Sequence, residues 1–179
     1  MRLLAISGSL RAVSSNTALL EAAALAAPPG IEVTLYRGLA DLPHFNPDLD
    51  GEGVAPPVTE FRLRLRESEG VVLSVPEYAH GVPGSFKNAL DWVVGSGELY
   101  GKPVAVFQAT GRSSYALASL LETLRAQGAD LFGEASVTLE LMGKRLGAAE
   151  IAANAEMAGA LRNALAEFKA TLLRRSGAG

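Results

Sequence analysis

Apolar and polar positions divide the chain into strands and helices that alternate from one end to the other. Short apolar runs bounded by glycine, proline or serine are typical of buried parallel strands. Longer stretches with apolar residues three and four positions apart indicate amphipathic helices. The predicted strands are residues 2–7, 31–36, 70–75, 103–109 and 135–141. The predicted helices are residues 14–27, 58–68, 83–94, 114–127 and 148–174.

This alternation predicts an α/β fold in which right-handed crossovers join a parallel sheet that is covered by helices on both faces. Strand 31–36 alternates apolar and polar residues, so we expect it near a sheet edge. The apolar stripe of helix 148–174 is interpreted as core or dimer packing. We expect one domain over residues 1–175 and a frayed tail over residues 176–179. Ligands of such sheets bind beyond the carboxyl ends of the strands, so the loops there form the candidate site.

Composition restricts the available chemistry. Apolar residues make up 49% and charged residues 20% of the chain, as in ordinary globular proteins. Cysteine is absent, which excludes disulfides, thiolate nucleophiles and iron–sulfur ligation. His44 and His80 are too far apart for a short metal-binding pair, and we interpret His80 as an exposed loop residue. A net charge of −3 without a basic block argues against a nucleic-acid partner. No stretch approaches a secretory or membrane-spanning segment, so we expect a cytoplasmic protein without a membrane partner.

A polar loop over residues 8–16 follows the first predicted strand and leads into the first helix. Gly8 permits a sharp turn and a close approach to a ligand. Arg11 adds a permanent positive charge with a planar fork suited to phosphate oxygens. Serine side chains and the unpaired N–H groups of the helix start add donors, so we predict an anion site rather than an incidental cap. A dinucleotide fingerprint would need glycine in place of Leu10 and Val13, and a Walker A loop would need a lysine that is missing here.

Two further loops follow the central strands. Residues 76–84 contain prolines and glycines that indicate a rigid turn, suited to a flat heterocycle with mixed donors and acceptors. Tyr78 is placed to lie along an aromatic ring, and Glu77 to orient the loop. The small polar loop 109–115 is a weaker signal for the same ligand. Four residues of the next helix are interpreted mainly as fixing that helix: Lys87, Asn88, Asp91 and Trp92.

Together these loops resemble the NADPH-dependent FMN reductase family of flavodoxin-like proteins, which includes quinone, azo-dye and chromate reductases. The resemblance spans essentially the whole chain. It is carried by Gly8-Ser9-Leu10-Arg11 with Ser14 and Asn16, Pro76-Glu77-Tyr78, Val82-Pro83-Gly84, Lys87-Asn88-Ala89-Leu90-Asp91-Trp92, and Leu42-Pro43 with Phe45-Asn46-Pro47-Asp48. It implies a flavodoxin-like three-layer sandwich with a five-stranded sheet of order 2-1-3-4-5. It also implies noncovalent FMN in the crevice between strands one and three, and a homodimer or homotetramer.

By matching position, the resemblance implies two sets of cofactor-binding residues. The residues expected around the FMN phosphate are Ser9, Arg11, Ser14, Asn16 and Thr17. The residues expected along the isoalloxazine ring are Pro76, Glu77, Tyr78 and Gly81, with Thr110, Gly111 and Arg112 on a third side. Ala79 stands where many members have asparagine, and Ser113-Ser114 replaces a common glycine pair. We expect no catalytic side chain and no metal ligand, because the cofactor carries the redox chemistry.

The implied activity is that of a flavin-containing oxidoreductase. NADPH or NADH would deliver hydride, and a flavin, quinone, azo or metal-oxyanion acceptor would receive the electrons. Two alternatives stay open from the residues alone. One is a flavodoxin-like one-electron carrier, which the mild net charge of −3 disfavours. The other is a nucleotide-binding module with no redox role.

Overall fold

The computed structural model describes residues 1–176 and contains a parallel sheet between two layers of helices. The strands are β1 (Arg2–Ser7), β2 (Glu32–Tyr36), β3 (Gly70–Ser74), β4 (Pro103–Gln108), β5 (Asp130–Leu131) and β6 (Val137–Thr138). The helices are α1 (Ser15–Ala26), α2 (Pro56–Glu67), α3 (Gly84–Asp91), α4 (Ser114–Ala126), α5 (Ala148–Ala153) and α6 (Ala155–Ser176). The strand order β2-β1-β3-β4-β5 confirms the predicted flavodoxin-like α/β fold.

Two apolar cores lie on opposite faces of the sheet, because successive side chains of a strand point to opposite sides. Leu3 and Ala5 of β1 pack in the core formed with α1, α5 and α6. Leu4 and Ile6 pack in the core formed with α2, α3 and α4. All residues of the central strand β3 are buried, whereas β2 at the sheet edge keeps partly exposed residues. Both results follow from the hydrophobic patterns of these two strands.

The predicted bounds of the last strand, residues 135–141, are wrong. Two short strands, β5 and β6, pair in parallel with β4 in its place. A 3-10 turn over Gly133–Ala135 separates them. The hydroxyl of Ser136 accepts a hydrogen bond from the backbone N–H of Val106 at 3.0 Å. This side chain satisfies a β4 amide at the interruption, so the strand breaks without leaving a buried donor unpaired.

The predicted single helix over residues 148–174 is two helices that meet at Asn154. The backbone of Asn154 is extended, with φ −75° and ψ 117°, and its side-chain oxygen accepts a hydrogen bond from the N–H of Met157 at 3.0 Å. Asn154 therefore caps the start of α6. Helix α6 continues to Ser176, and residues 177–179 of the predicted tail lie outside the described residues. Most of the predicted apolar stripe is core, namely Ile151, Ala158, Leu161, Leu165 and Phe168.

Among residues 1–176, no helix has both the length and the apolar character needed to cross a bilayer. In the same residues, no group of three or more histidine, cysteine or carboxylate side chains is placed to hold a metal ion.

Candidate functional site

The loops after β1 and β3 lie side by side at the carboxyl edge of the sheet. We call residues 8–14 the first loop, residues 75–83 the second loop and residues 109–113 the third loop. Strands β1 and β3 are adjacent and parallel, and the N–H of Gly8 donates to the carbonyl of Ser74 at 2.8 Å. The predicted anion-binding and ring-binding segments therefore meet at one edge.

Close backbone packing holds the first and second loops together. A Cβ atom on Gly8 would lie 3.0 Å from Cγ1 of Val75, which is tighter than ordinary packing allows. The Ser74 hydroxyl donates to the side-chain oxygen of Asn16 at 2.9 Å. Asn16, predicted to contact the anion, thus ties α1 to β3 with its side-chain oxygen. The glycine at position 8 is required by the proximity of the two loops.

Serine and threonine hydroxyls fix the shape of the first loop. The N–H of Ser9 donates to the Ser7 hydroxyl, and the N–H of Arg11 donates to the Ser9 hydroxyl, both at 3.3 Å. The Ser7 and Thr17 hydroxyls share a hydrogen bond of 2.8 Å. The guanidinium of Arg11 is exposed and has no hydrogen-bond or ion-pair partner within residues 1–176. Its charge is therefore available to a ligand.

Helix α1 begins at this loop and directs free donors towards it. The Ser14 hydroxyl accepts a hydrogen bond from the N–H of Thr17 at 3.3 Å, so Ser14 is the N-cap of α1. The N–H groups of Ser15 and Asn16 have no acceptor among the described residues. Free N–H groups at a helix N-terminus beside a permanent cation suit an anion.

A cavity of about 870 Å³ opens beside the first loop. Its walls are the first loop with the start of α1, the end of β2 with the residues that follow, and the connection before α5. The predicted site residues that line it are Ser9, Arg11, Ser14 and Thr17. Within the described chain, the predicted residues of the second and third loops lie outside this cavity. The cavity therefore adjoins the predicted anion-binding loop.

The charges around this cavity favour an anion such as phosphate. Glu21 is the one carboxylate among the described lining residues, and it pairs with Arg37 at 2.8 Å. Arg145 also lines the cavity, and sequence reasoning missed it. Burial, together with the nearby carboxylates Asp41 and Glu60, raises the pKa of Tyr36 to about 12. The Tyr36 phenol in the cavity wall is therefore a neutral donor at physiological pH.

The second loop contains a tight turn in an unusual backbone conformation. The N–H of Tyr78 donates to the carbonyl of Gly81 at 3.1 Å, and the reverse bond measures 3.0 Å. Ala79 and His80 between them have φ values of 50° and 60°. Two consecutive left-handed residues form the type I′ geometry that usually selects asparagine and glycine. Alanine lacks the side chain that makes this conformation tolerable, so the turn is strained.

Replacing Ala79 with asparagine is expected to raise the free energy of unfolding by about 0.5–1 kcal/mol, because asparagine tolerates the left-handed region. Urea denaturation of both proteins measures the change. Ala118 is a matched control, since it is exposed in the middle of α4. There asparagine should destabilise by about 0.5 kcal/mol through lower helix propensity. The same sign of change at both positions would contradict the strain assigned to the turn.

Side chains of the second loop reach the start of α4. The Glu77 carboxylate accepts a hydrogen bond from the N–H of Ala116 at 2.9 Å. The His80 ring stacks on Tyr115 with a centroid distance of 4.3 Å and an interplanar angle of 20°. Glu77 thus fastens the second loop to the helix that follows the third loop, in keeping with its predicted orienting role. Tyr78 is 49% exposed, so its ring is free to contact a ligand.

The third loop is closed by a carboxylate that sequence reasoning missed. Glu140 accepts hydrogen bonds from the N–H of Gly111 at 2.6 Å and from the Thr110 hydroxyl at 3.1 Å. The Thr110 hydroxyl in turn accepts from the N–H of Arg112 at 3.2 Å. These donors are therefore engaged within the protein and fix the loop. Glu140 lies 29 residues after Gly111 in the sequence, and no local sequence pattern indicates their contact.

The long connection between β2 and α2 is anchored to α3. The amide of Asn88 accepts from the N–H of Phe45 at 2.7 Å and donates to the carbonyl of Pro43 at 2.9 Å. The Trp92 indole N–H donates to the same carbonyl at 2.7 Å. Lys87 pairs with Asp91 at 2.6 Å along the helix. These contacts confirm the structural interpretation of this motif.

Comparison with known proteins identifies relatives of the same kind. The profile of the family described as NADPH-dependent FMN reductase matches residues 1–141. An NAD(P)H-dependent FMN reductase of Pseudomonas aeruginosa is 35% identical over 129 residues, covering 68% of this chain and 69% of the relative. An NADPH:quinone oxidoreductase of Arabidopsis thaliana is 37% identical over 127 residues, covering 65% of this chain and 64% of the relative. The chain thus spans about two thirds of the length of these relatives.

A solved structure extends the similarity over nearly the whole chain. The flavoenzyme NAD(P)H:(acceptor) oxidoreductase FerB of Paracoccus denitrificans superposes with a TM-score of 0.76 at 26% sequence identity. The match covers 94% of this chain and 97% of FerB. The fold is therefore shared with a flavoenzyme.

Proposed function

Because the chain belongs to the NADPH-dependent FMN reductase family, we propose that it binds FMN noncovalently and catalyses the NAD(P)H-dependent reduction of a small acceptor such as a flavin or quinone. The observation that carries this proposal is the meeting of the first and second loops at the β1–β3 edge, beside a cavity lined by Arg11 and Arg145, whose side chains have no partner within residues 1–176. The names of the relatives support the same activity. When bound, FMN supplies the hydride-accepting and electron-donating chemistry.

The residues of the first loop fit the phosphate end of FMN. The free N–H groups of Ser15 and Asn16, the hydroxyl of Ser9 and the guanidinium of Arg11 supply donors of the right kind for phosphate oxygens. Each hydrogen bond to an ionised group contributes about 1.5–3 kcal/mol, whereas the helix terminus alone contributes about 0.3–1 kcal/mol. Specific donors, more than the helix dipole, should therefore determine FMN affinity.

The second and third loops are the proposed ring-binding part of the site. Pro76, Tyr78 and Gly81 would flank the flat ring on one side, with Thr110, Gly111 and Arg112 on another. In this proposal Glu77 and Glu140 position the two loops, since both carboxylates already bind backbone N–H groups of the protein. No side chain is required to move a proton in the redox step, so the protein contributes binding, orientation and exclusion of water.

Alanine at position 11 is expected to weaken FMN binding about tenfold while leaving the free energy of unfolding unchanged. The reason is that the Arg11 side chain has no partner within residues 1–176, so its removal costs only ligand contacts. Quenching of flavin fluorescence measures the affinity, and urea denaturation measures the stability. Arg162 on α6 is exposed, has no hydrogen-bond or ion-pair partner within residues 1–176, and serves as the control. Equal FMN affinity of the Arg11 variant and the native chain would show that Arg11 does not bind phosphate.

The proposed assembly is a homodimer or homotetramer in the cytoplasm, with NADPH or NADH as the reductant. Apolar side chains near the site support a subunit boundary there, since Leu10 is 55% and Val13 79% exposed. Tyr78 of the adjacent second loop is also half exposed. Light scattering after size-exclusion chromatography tests the assembly, and a monomer would overturn it.

Anaerobic titration tests the activity itself. The FMN-loaded protein should lose its visible flavin absorbance on addition of NADPH or NADH, and a quinone should restore it. Failure of both nicotinamides to bleach a protein that retains FMN would reject the reductase and favour an electron carrier. A chain that never binds FMN would reject the flavoprotein altogether.

A further inference from the structure

The connection before α5 forms one wall of the cavity beside the first loop. Gly143, Arg145 and Leu146 line this wall. Arg145 is exposed, and its guanidinium has no hydrogen-bond or ion-pair partner among the described residues. Its neighbour Lys144 is also exposed but does not line the cavity. Arg145 is thus a second unpaired cation that shares a cavity with Arg11.

The other groups on this wall do not offer the same charge. The N–H of Gly147 donates to the carboxylate of Glu150 at 2.7 Å, so this backbone donor of the wall is already satisfied within the protein. Arg37 in the cavity wall is paired with Glu21. Two uncompensated positive charges remain, one from the first loop and one from the connection before α5. An anion in the cavity would be attracted by both.

The backbone at Arg145 is unfavourable for an arginine. Its φ is 48°, in the left-handed region, and Gly143 two residues earlier has φ 77°. Glycine would adopt either conformation without a steric cost. The arginine is therefore kept at a position where glycine would fit better, which is the kind of local strain found at functional sites.

We propose that Arg145 is a second phosphate-binding residue, which approaches the phosphate of FMN from the connection before α5. This inference rests on the proposed function. It assigns to a segment beyond residues 1–141 of the family match a direct part in cofactor binding. The protein would then bind the phosphate with cations from two separate parts of the chain.

The test compares FMN with riboflavin, which has the same ring and no phosphate. Fluorescence titrations are carried out on the native chain, Arg145→Ala, Arg145→Gly and the control Lys144→Ala. We expect both Arg145 variants to bind FMN about five- to tenfold more weakly, and to bind riboflavin as the native chain does. Arg145→Gly should also melt no lower than the native chain, because glycine relieves the left-handed backbone. Lys144→Ala should change neither affinity by more than about twofold.

Each result separates the inference from the function on which it rests. If the native chain binds FMN and the Arg145 variants bind it as tightly as the native chain and Lys144→Ala do, the role assigned to Arg145 is wrong and the proposed function stands. An equal loss of FMN and riboflavin affinity in both Arg145 variants would mean a structural role instead, and would also overturn the inference. If the native chain binds neither flavin, the proposed function fails.

Discussion

Valine at position 8 is expected to weaken FMN binding by between about tenfold and a hundredfold, and to destabilise the fold by about 1–3 kcal/mol. A Cβ at Gly8 would already lie 3.0 Å from Cγ1 and 3.3 Å from Cα of Val75. The two further methyl groups of valine would force the first loop away from the second. The proposed phosphate-binding and ring-binding segments would then no longer match the length of a single FMN molecule. Fluorescence titration with FMN and urea denaturation measure the two effects.

Gly51 provides the matched control for this substitution. A Cβ at Gly51 would meet no atom within 4 Å, and this glycine lies in the long connection between β2 and α2. Valine there should leave both FMN affinity and stability within about 0.5 kcal/mol of the native values. A folded Gly8 variant with undiminished FMN affinity would show that close contact between the first and second loops is not needed for binding.

Alanine at position 62 is expected to lower the free energy of unfolding by about 3–5 kcal/mol. Arg62 is only 9% exposed. Its guanidinium donates to the carboxylate of Asp50 at 2.7 Å and to the carbonyl of Trp92 at 3.1 Å. Removal of the guanidinium would leave the partly buried carboxylate of Asp50 unpaired. The carbonyl of Trp92 at the end of α3 would also lose its donor. Thermal unfolding should begin roughly 10 °C lower.

Arg64 on the same helix separates this effect from a general loss of charge. It pairs with Glu60 at 2.6 Å, but both side chains are about half exposed. Alanine there should cost no more than about 0.5 kcal/mol, since exposed pairs one helical turn apart contribute little. Equal losses in the free energy of unfolding at positions 62 and 64 would mean that Arg62 does not anchor the long connection between β2 and α2.

The parts of the fold with uniform burial were predictable from sequence. Strand β3 is buried on both faces, so its apolar run is continuous and its position is unambiguous. The break at Asn154 was not predicted, because an apolar stripe passes through it and only the side-chain cap to Met157 reveals it. The division of the last strand depends on a hydroxyl of Ser136 that replaces a backbone partner. A single hydrogen bond of this kind produces no periodic pattern of apolar and polar residues in the sequence.

The candidate site also contains residues that are close together in the sequence and residues that only the fold brings together. The first loop was predictable, because its glycine, arginine and serines lie together between a buried strand and a helix. Glu140 and Arg145 were not, since each meets the site only through the folding of the chain. The hydrogen bond between Glu140 and Gly111 joins positions 29 residues apart. The predicted ligand contacts of the ring-binding residues remain predictions, although the loops that carry them are adjacent.

A crystal structure of the protein grown with FMN tests the central claim most directly, namely that one ligand spans the edge where β1 and β3 end. The expected electron density places the phosphate within hydrogen-bond distance of Ser9 and the first turn of α1, and the ring against residues 76–81. Density for FMN at any other edge of the sheet, or a phosphate out of reach of the first loop, would contradict that claim.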